Sequence, residues 1–169
     1  MRMTPSTSFL ASFADWLSTT PLSLVISSVS WVVPLVQTIH ILALAVVLSS
    51  VGMIGLRMLG QAGRTTVANT ARHFVPWIWG ALVVMLVTGV TLVIGEPGRS
   101  LTNAYFQWKM GLLVLGTLLV VGFQTTVARN APFWDVDHRH RPLAGVLAVS
   151  AFALFVTIAV LGRWIAYAI

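Results

Sequence analysis

The longest uncharged stretch of the chain places the main constraint on its fold. No Asp, Glu, Lys or Arg occurs from Trp16 to Leu56, a run of about 40 residues. As a single helix this run would measure roughly 60 Å, twice the thickness of a bilayer's hydrocarbon core, so it must break. Thr20-Pro21 is the expected break, because proline disfavours helix in the residue before it. The sequence therefore predicts a bent segment that leads into the first membrane-spanning helix.

The rest of the chain is equally poor in charge. Only 8% of the 169 residues are charged, whereas a soluble domain carries about 25%. The ten basic residues that give the net charge of +6 are scattered rather than clustered, which argues against nucleic-acid binding. Cysteine is absent, which excludes disulfides and cysteine-ligated metals. We expect one integral membrane domain spanning residues 1–169.

Four stretches are long and apolar enough to cross a bilayer. A spanning helix is predicted over each of residues 31–58, 74–95, 105–128 and 142–167. Before them, within residues 6–30, apolar side chains recur at helical spacing on one face, which is typical of a helix lying in the membrane interface; they are Phe9, Leu10, Phe13, Trp16 and Leu17. The predicted fold is all-α, an integral membrane four-helix bundle with a short amphipathic N-terminal interfacial helix.

The distribution of basic residues predicts the orientation. Six arginines flank the connections between the first and second and between the third and fourth spanning helices: Arg57, Arg64, Arg72, Arg129, Arg139 and Arg141. Four basic residues lie on the opposite side: Arg2, Arg99, Lys109 and Arg163. Because basic residues are enriched in cytoplasmic loops, we expect the two arginine-rich connections in the cytoplasm and both termini outside it.

Four ionisable residues, one from each predicted spanning helix, fall in the half of the membrane opposite the arginine-rich loops. They are His40, Glu96, Lys109 and Arg163. Such groups are costly inside a membrane, so by default they indicate a functional site, and bundle-core sites are built from groups that converge from several helices. Four unrelated side chains that snorkel to the head groups would give the same pattern.

The chemistry of His40 and Lys109 is open to several interpretations. A histidine at this depth can ligate haem, carry protons, contact a quinone or make a structural hydrogen bond to a neighbouring helix. Lys109 is either a snorkelling side chain or a fixed cation for a haem propionate, a quinone oxygen or Glu96. Met85 and Met110 are candidates for a sixth haem ligand, although membrane methionines usually serve packing.

The last loop carries a second candidate metal site. Asp135 and Asp137 stand beside His138 and His140, a set that is able to bind a transition metal. No fixed-spacing partner occurs elsewhere in the sequence. The alternative is a solvated loop in which the aspartates pair with neighbouring arginines.

Several longer segments resemble a bacterial family of small four-helix inner-membrane proteins called domain of unknown function 6644. The resemblance rests on PLSLVISSVSWVVPLVQTIHILALAVVL, LRMLG, VPWIWG, NAYFQWKMGLLVLG, FWD and the terminal GRWIAY. It covers most of the chain. It implies a bacterial inner-membrane location, and it brings no established activity. In such a membrane, the orientation expected from the basic residues would place both termini in the periplasm.

A more distant resemblance concerns the order of the polar residues. His40 followed by Arg57, then Glu96-Pro97, then Lys109 after an aromatic residue, is similar to the layout of the oxygen-independent, haem-binding membrane protoporphyrinogen oxidase and of the copper-resistance D proteins. That resemblance implies that His40 ligates haem b and that Lys109 is its charged partner. Gln107 stands where the oxidase has a histidine, and the first loop carries less charge, so only a shared haem-type architecture is implied.

The leading expectation is a haem b-type or quinone-linked redox protein, an electron-transfer or anchor subunit of a partner oxidoreductase. His40 would ligate iron, and Lys109 and Arg163 would stabilise carboxylates or a reduced quinone. Glu96 is a further candidate for the cofactor-binding site, and Arg57 would orient the cytoplasmic end. The alternative is a cofactor-free small transporter or structural partner subunit. The partners expected are the bilayer, a quinone or oxidoreductase subunit, or a second copy of the chain; whether it is an enzyme stays open.

Overall fold

The computed structural model describes residues 5–61, 65–129 and 141–164, and these residues form seven helices with no strand among them. In chain order the helices are α1 (Pro5–Ser18), α2 (Pro21–Ser28), α3 (Val32–Met58), α4 (Val67–Gly95), α5 (Pro97–Leu101), α6 (Ala104–Arg129) and α7 (Arg141–Trp164). The all-α architecture predicted from the sequence is confirmed.

Four of the helices, α3, α4, α6 and α7, are long and apolar enough to cross a membrane, so the chain is a multi-pass membrane protein. The small core of the bundle buries only some of the apolar side chains of these helices. The other apolar side chains lie on the outer surface of the helices, as expected where the surroundings are lipid. The bundle has two ends. We call the one carrying Arg57, Arg72 and Arg129 the arginine end, and the opposite one the α5 end.

Helix α4 begins seven residues before the predicted start at 74. The reason is a local cap: the Thr66 hydroxyl accepts a hydrogen bond from the backbone N–H of Asn69 at 3.1 Å, which satisfies a donor in the first turn. The polar residues Arg72 and His73 lie in this additional segment of about two turns. A prediction from apolar residues alone places the start of the helix after Arg72 and His73, whereas the helix itself begins before the apolar segment.

The break expected at Thr20-Pro21 is present. Helices α1 and α2 meet there at an angle of 70°, in the geometry of a broken span or a re-entrant loop. The Thr20 hydroxyl accepts a bond from the Ser23 N–H, and Pro21 occupies the first position of α2, where its missing N–H has no consequence. Helix α1 contacts α5 and α2 contacts α4, so both lie at the α5 end of the bundle.

The core of the bundle lies between α3, α4 and α7. Val47, Ile78, Phe155 and Ile158 are almost completely buried and form its central layer. Helix α6 joins mainly through α7, where Gly116 permits close approach: a Cβ there would lie 3.0 Å from side-chain atoms of Leu154 and Phe155. Small residues at such crossings let helices pack without a hydrophobic driving force, which lipid does not supply.

Trp31, Trp108 and Trp164 lie near helix ends and are exposed, as is typical of interfacial anchors. Trp79 differs, because it lies within α4 and is partly buried. Its Nε1–H donates to Oε1 of Gln124 at 3.0 Å, which joins α4 to α6. This tryptophan therefore acts in helix packing.

Candidate functional site

Three polar side chains from three helices form one hydrogen-bonded chain inside the bundle. Nδ1 of His40, on α3, lies 2.8 Å from Oγ1 of Thr88 on α4. Nε2 of the same ring lies 3.4 Å from Nζ of Lys109 on α6. The structure thus brings together two of the four ionisable residues that the sequence singled out, His40 and Lys109, and adds Thr88, which the sequence analysis did not identify.

The hydrogen-bond inventory fixes the protons in this chain when Lys109 carries its charge. An ammonium has three donors and no acceptor, so Nε2 of His40 must accept and Nδ1 must hold the ring proton. Nδ1–H then donates to Oγ1 of Thr88, and the Thr88 hydroxyl donates in turn to the backbone oxygen of Val84 at 2.7 Å. Every polar atom of the imidazole and hydroxyl has a partner, and His40 is a neutral acceptor facing a cation.

Two glycines lie beside the site, and one of them lets the lysine tip approach α7 closely. A Cβ on Gly162 of α7 would lie 3.0 Å from Nζ of Lys109, so the lysine tip runs directly against the α7 backbone. A Cβ on Gly89 of α4 would lie 3.7 Å from Cε1 of His40, an ordinary contact distance. Every spanning helix therefore contributes to the site, which we call the His40–Lys109 site.

The site lies in the half of the bundle near the α5 end. At a rise of about 1.5 Å per residue, His40, Thr88 and Lys109 lie roughly 12, 10 and 8 Å along their helices from that end. They are at similar depth, which is why they meet. Beside them the rings of Tyr105 and Trp164 make an edge contact at 5.8 Å between centroids, which ties α6 to α7 at this end.

Glu96 makes its ion pair elsewhere. Its carboxylate lies 3.5 Å from Arg99, and both side chains are about half exposed. The two residues are separated by a single helical turn across α5, so the pairing is local, and exposed pairs of this kind contribute about 0–1 kcal/mol. Within the described residues, the hydrogen-bond partner of the Lys109 ammonium is a neutral imidazole, which leaves the charge uncompensated by that contact.

The remaining predicted site residues are not at the site. Arg163 is exposed and follows Gly162, so its backbone is adjacent to the lysine tip while its side chain lies at the bundle surface. Arg57 lies at the arginine end of α3, roughly 26 Å along the helix from His40. Of the candidate sixth ligands, Met110 is 40% exposed and Met85 is buried in the core.

No group of three His, Cys, Asp or Glu side chains gathers within residues 5–61, 65–129 and 141–164. The loop with Asp135, Asp137, His138 and His140 lies outside those ranges, so its metal hypothesis stays a prediction. A haem iron on His40 would bind Nε2. The Lys109 ammonium lies against the lone pair of that nitrogen, and the backbone of α7 lies next to the lysine tip. A haem iron could therefore bind Nε2 only after Lys109 had moved away from it.

Sequence reasoning missed Thr88, Gly89 and Gly162. Thr88-Gly89 interrupts the mostly apolar segment ALVVMLVTGVTLVIG, and this interruption is the signal that could have identified Thr88. The signal is weak, because membrane threonines usually bond to their own helix backbone, as Thr91 does to the oxygen of Val87.

The profile of a protein family described as "Family of unknown function (DUF6644)" matches residues 13–168 of the chain. The resemblance to that family noted from the sequence is confirmed. No curated protein and no solved structure matches the chain significantly, and the more distant resemblance to the haem-binding oxidase stays a prediction.

Proposed function

We propose that this chain, which belongs to the DUF6644 family of unknown function, is a quinone-linked membrane redox subunit that binds a quinone head group at the His40–Lys109 site. The observation that carries the proposal is the contact of the Lys109 ammonium with neutral His40 inside an apolar bundle. A partly buried cation whose hydrogen-bond partner is neutral favours a ligand that brings acceptor oxygens. A quinone is an apolar molecule, dissolved in the bilayer, with two such oxygens.

The site's own groups would hold the quinone and supply donors. Lys109 donates a charge-assisted hydrogen bond to one carbonyl oxygen and stabilises the negative charge that develops there on reduction. His40 is kept in one orientation by Thr88, so its ring presents a fixed edge to the ligand. Reduction to the quinol takes two electrons and two protons, and the electrons would come from a partner oxidoreductase subunit.

A haem b bound to His40 is the second candidate. It is favoured by the Nδ1–Thr88 hydrogen bond, because a histidine that ligates a metal through Nε2 usually donates its other ring N–H to an acceptor. Ligation would require Lys109 to leave Nε2, a displacement that quinone binding does not need. We therefore place the quinone proposal first.

We further propose that the chain lies in a bacterial inner membrane with the arginine end in the cytoplasm. Arg57, Arg72 and Arg129 lie at that end of the described helices, which agrees with the enrichment of basic residues on the cytoplasmic side. The His40–Lys109 site would then lie near the periplasmic face.

The test is the binding of a short-chain ubiquinone analogue to the purified full chain in detergent, followed by calorimetry. Lys109→Met keeps the length of the side chain and removes its charge. Because a hydrogen bond to a charged group is worth roughly 1.5–3 kcal/mol, the affinity should fall about 10- to 150-fold. Gln107→Met is the matched control, since Gln107 lies on the same helix end and bonds to the backbone oxygen of Leu101 rather than to the site.

Three outcomes would contradict the proposal. Equal affinity in wild type and Lys109→Met would show that the lysine only snorkels. A b-type visible spectrum in the wild type that is lost in His40→Ala would favour the haem candidate. A colourless protein with no measurable quinone binding would favour a cofactor-free structural or transport role, in which the three side chains serve helix packing.

A further inference from the structure

A cavity of about 390 Å³ lies between α3, α4, α6 and α7, in the half of the bundle near the arginine end. Its lining includes Val51, Ile54, Val75, Leu118, Gly122 and Phe155. None of the lining residues is charged. Among them, only Thr126 and Ser150 carry a side-chain oxygen or nitrogen, in both cases a hydroxyl. Thr126 already donates to the backbone oxygen of Gly122 at 2.9 Å.

We propose that this cavity binds one acyl chain of an acidic phospholipid, with the head group at the arginine end. A cavity of 150 Å³ with such a lining stays dry and takes up benzene. This one is about two and a half times larger, and it suits a flexible hydrocarbon chain. The proposal does not depend on quinone binding at the His40–Lys109 site.

The cavity opens toward lipid. Leu118, which lines it, keeps 62% of its surface exposed, and Gly122 one turn further is also exposed. These residues lie well inside α6, so the medium at the opening is the hydrocarbon of the bilayer. A lipid chain can therefore enter sideways without crossing water.

The spacing of α4 and α6 keeps the cavity open. The Trp79–Gln124 hydrogen bond joins these helices beside Ile78 and Phe123, which both line the cavity. A hydrogen bond between two long side chains spans a wider gap than direct packing of small residues would leave. The helices are thus tied together and yet held apart at this level.

The cavity is separated from the His40–Lys109 site by the central core layer. Val47 and Ile158 have no exposed surface and Phe155 has 1%, so the space between cavity and site is filled. A quinone tail that starts at Lys109 would have to displace these packed side chains to reach the cavity. The occupant must therefore come from the leaflet at the arginine end.

The charges at that end select an acidic head group. Met58 and Val75 line the cavity. Arg57 directly precedes Met58 on α3, and Arg72 lies three residues before Val75 on α4. On α6, Arg129 lies three residues after Thr126, which also lines the cavity. Each basic side chain near a bilayer surface strengthens the attraction for an acidic lipid by roughly fivefold, and basic pockets between helices bind such head groups.

Native mass spectrometry of the delipidated full chain tests the proposal, with dioleoyl phosphatidylglycerol and dioleoyl phosphatidylcholine as probes at equal concentration. We expect one phosphatidylglycerol per chain, at roughly tenfold or higher preference over phosphatidylcholine. Gly122 lines the cavity and a Cβ there meets nothing within 4 Å, so Gly122→Phe has room to place its ring at the cavity wall. It should reduce the bound lipid by about tenfold or more, because several methylene groups lose their burial.

Gly111→Phe is the matched control. It is the same substitution on the same helix, its Cβ also meets nothing within 4 Å, and it does not line the cavity. Lipid binding that is equal in Gly122→Phe and Gly111→Phe would overturn the acyl-chain site. Equal occupancy by the two lipids in the wild type would overturn the head-group assignment, and this comparison needs no variant. Circular dichroism verifies that both variants keep their helices.

Discussion

Thr88→Val tests whether the hydrogen-bonded chain at the site is real. Valine has nearly the shape of threonine, so the change removes the hydroxyl that accepts from Nδ1 of His40 at 2.8 Å and leaves the packing in place. Thr88 is 7% exposed, which leaves little water to replace the lost partner. Hydrogen bonds between membrane helices average about 0.6 kcal/mol and reach about 1.7, and a buried donor left unsatisfied costs roughly 1–3 kcal/mol.

We therefore expect Thr88→Val to lower the free energy of unfolding by about 1–2 kcal/mol, measured by denaturant titration in mixed micelles. Thr91→Val is the matched control, one turn further along α4. Thr91 bonds to the backbone oxygen of Val87 in its own helix, and losing such a bond has little effect on stability. Equal free energies of unfolding for the two variants would refute the hydrogen-bonded chain.

Three further predictions concern packing and topology. Gly116→Ala should lower the free energy of unfolding by about 1–3 kcal/mol, because its Cβ would lie 3.0 Å from α7 side chains. Gly111→Ala, whose Cβ meets nothing within 4 Å, should leave it unchanged, and equal effects of the two variants in denaturant titrations would contradict this. Trp79→Phe should cost about 0.6 kcal/mol in the same assay through loss of its bond to α6, and an unchanged stability would count against that bond. Reporter fusions after Gln61 and after Ile169 should read cytoplasmic and periplasmic respectively, and the reverse would overturn the orientation.

The membrane fold was predictable because it follows from one strong quantity. Hydrophobicity over about 20 residues decides whether a helix crosses the bilayer, and this sum does not depend on how helices pack. The break before Pro21 was predictable for a similar reason, since proline acts locally. The early start of α4 was not predicted, because the cap at Thr66 lies in a polar segment where hydrophobicity gives no signal.

The candidate site was predictable only in its parts. His40 and Lys109 stand out as ionisable residues in apolar helices, and this is a property of each residue alone. Their contact depends on the rotation of α3 and α6 and on which helices are neighbours, and a single sequence does not determine these. Glu96 illustrates the difficulty: it lies in the same half of the bundle as Lys109, yet its ion pair is with Arg99 one turn away.

Nitrogen-15 NMR of the histidine side chains tests the central proposal most directly. The protein would be labelled at histidine, reconstituted, and assigned with a His40→Gln variant. In the ligand-free protein we expect a neutral His40 with its proton on Nδ1, as the Thr88 and Lys109 contacts require. Addition of a short-chain ubiquinone analogue should shift the Nε2 resonance of His40 and leave His73, at the arginine end, unchanged. A saturating amount of the quinone that leaves the His40 resonances in place would contradict the proposal.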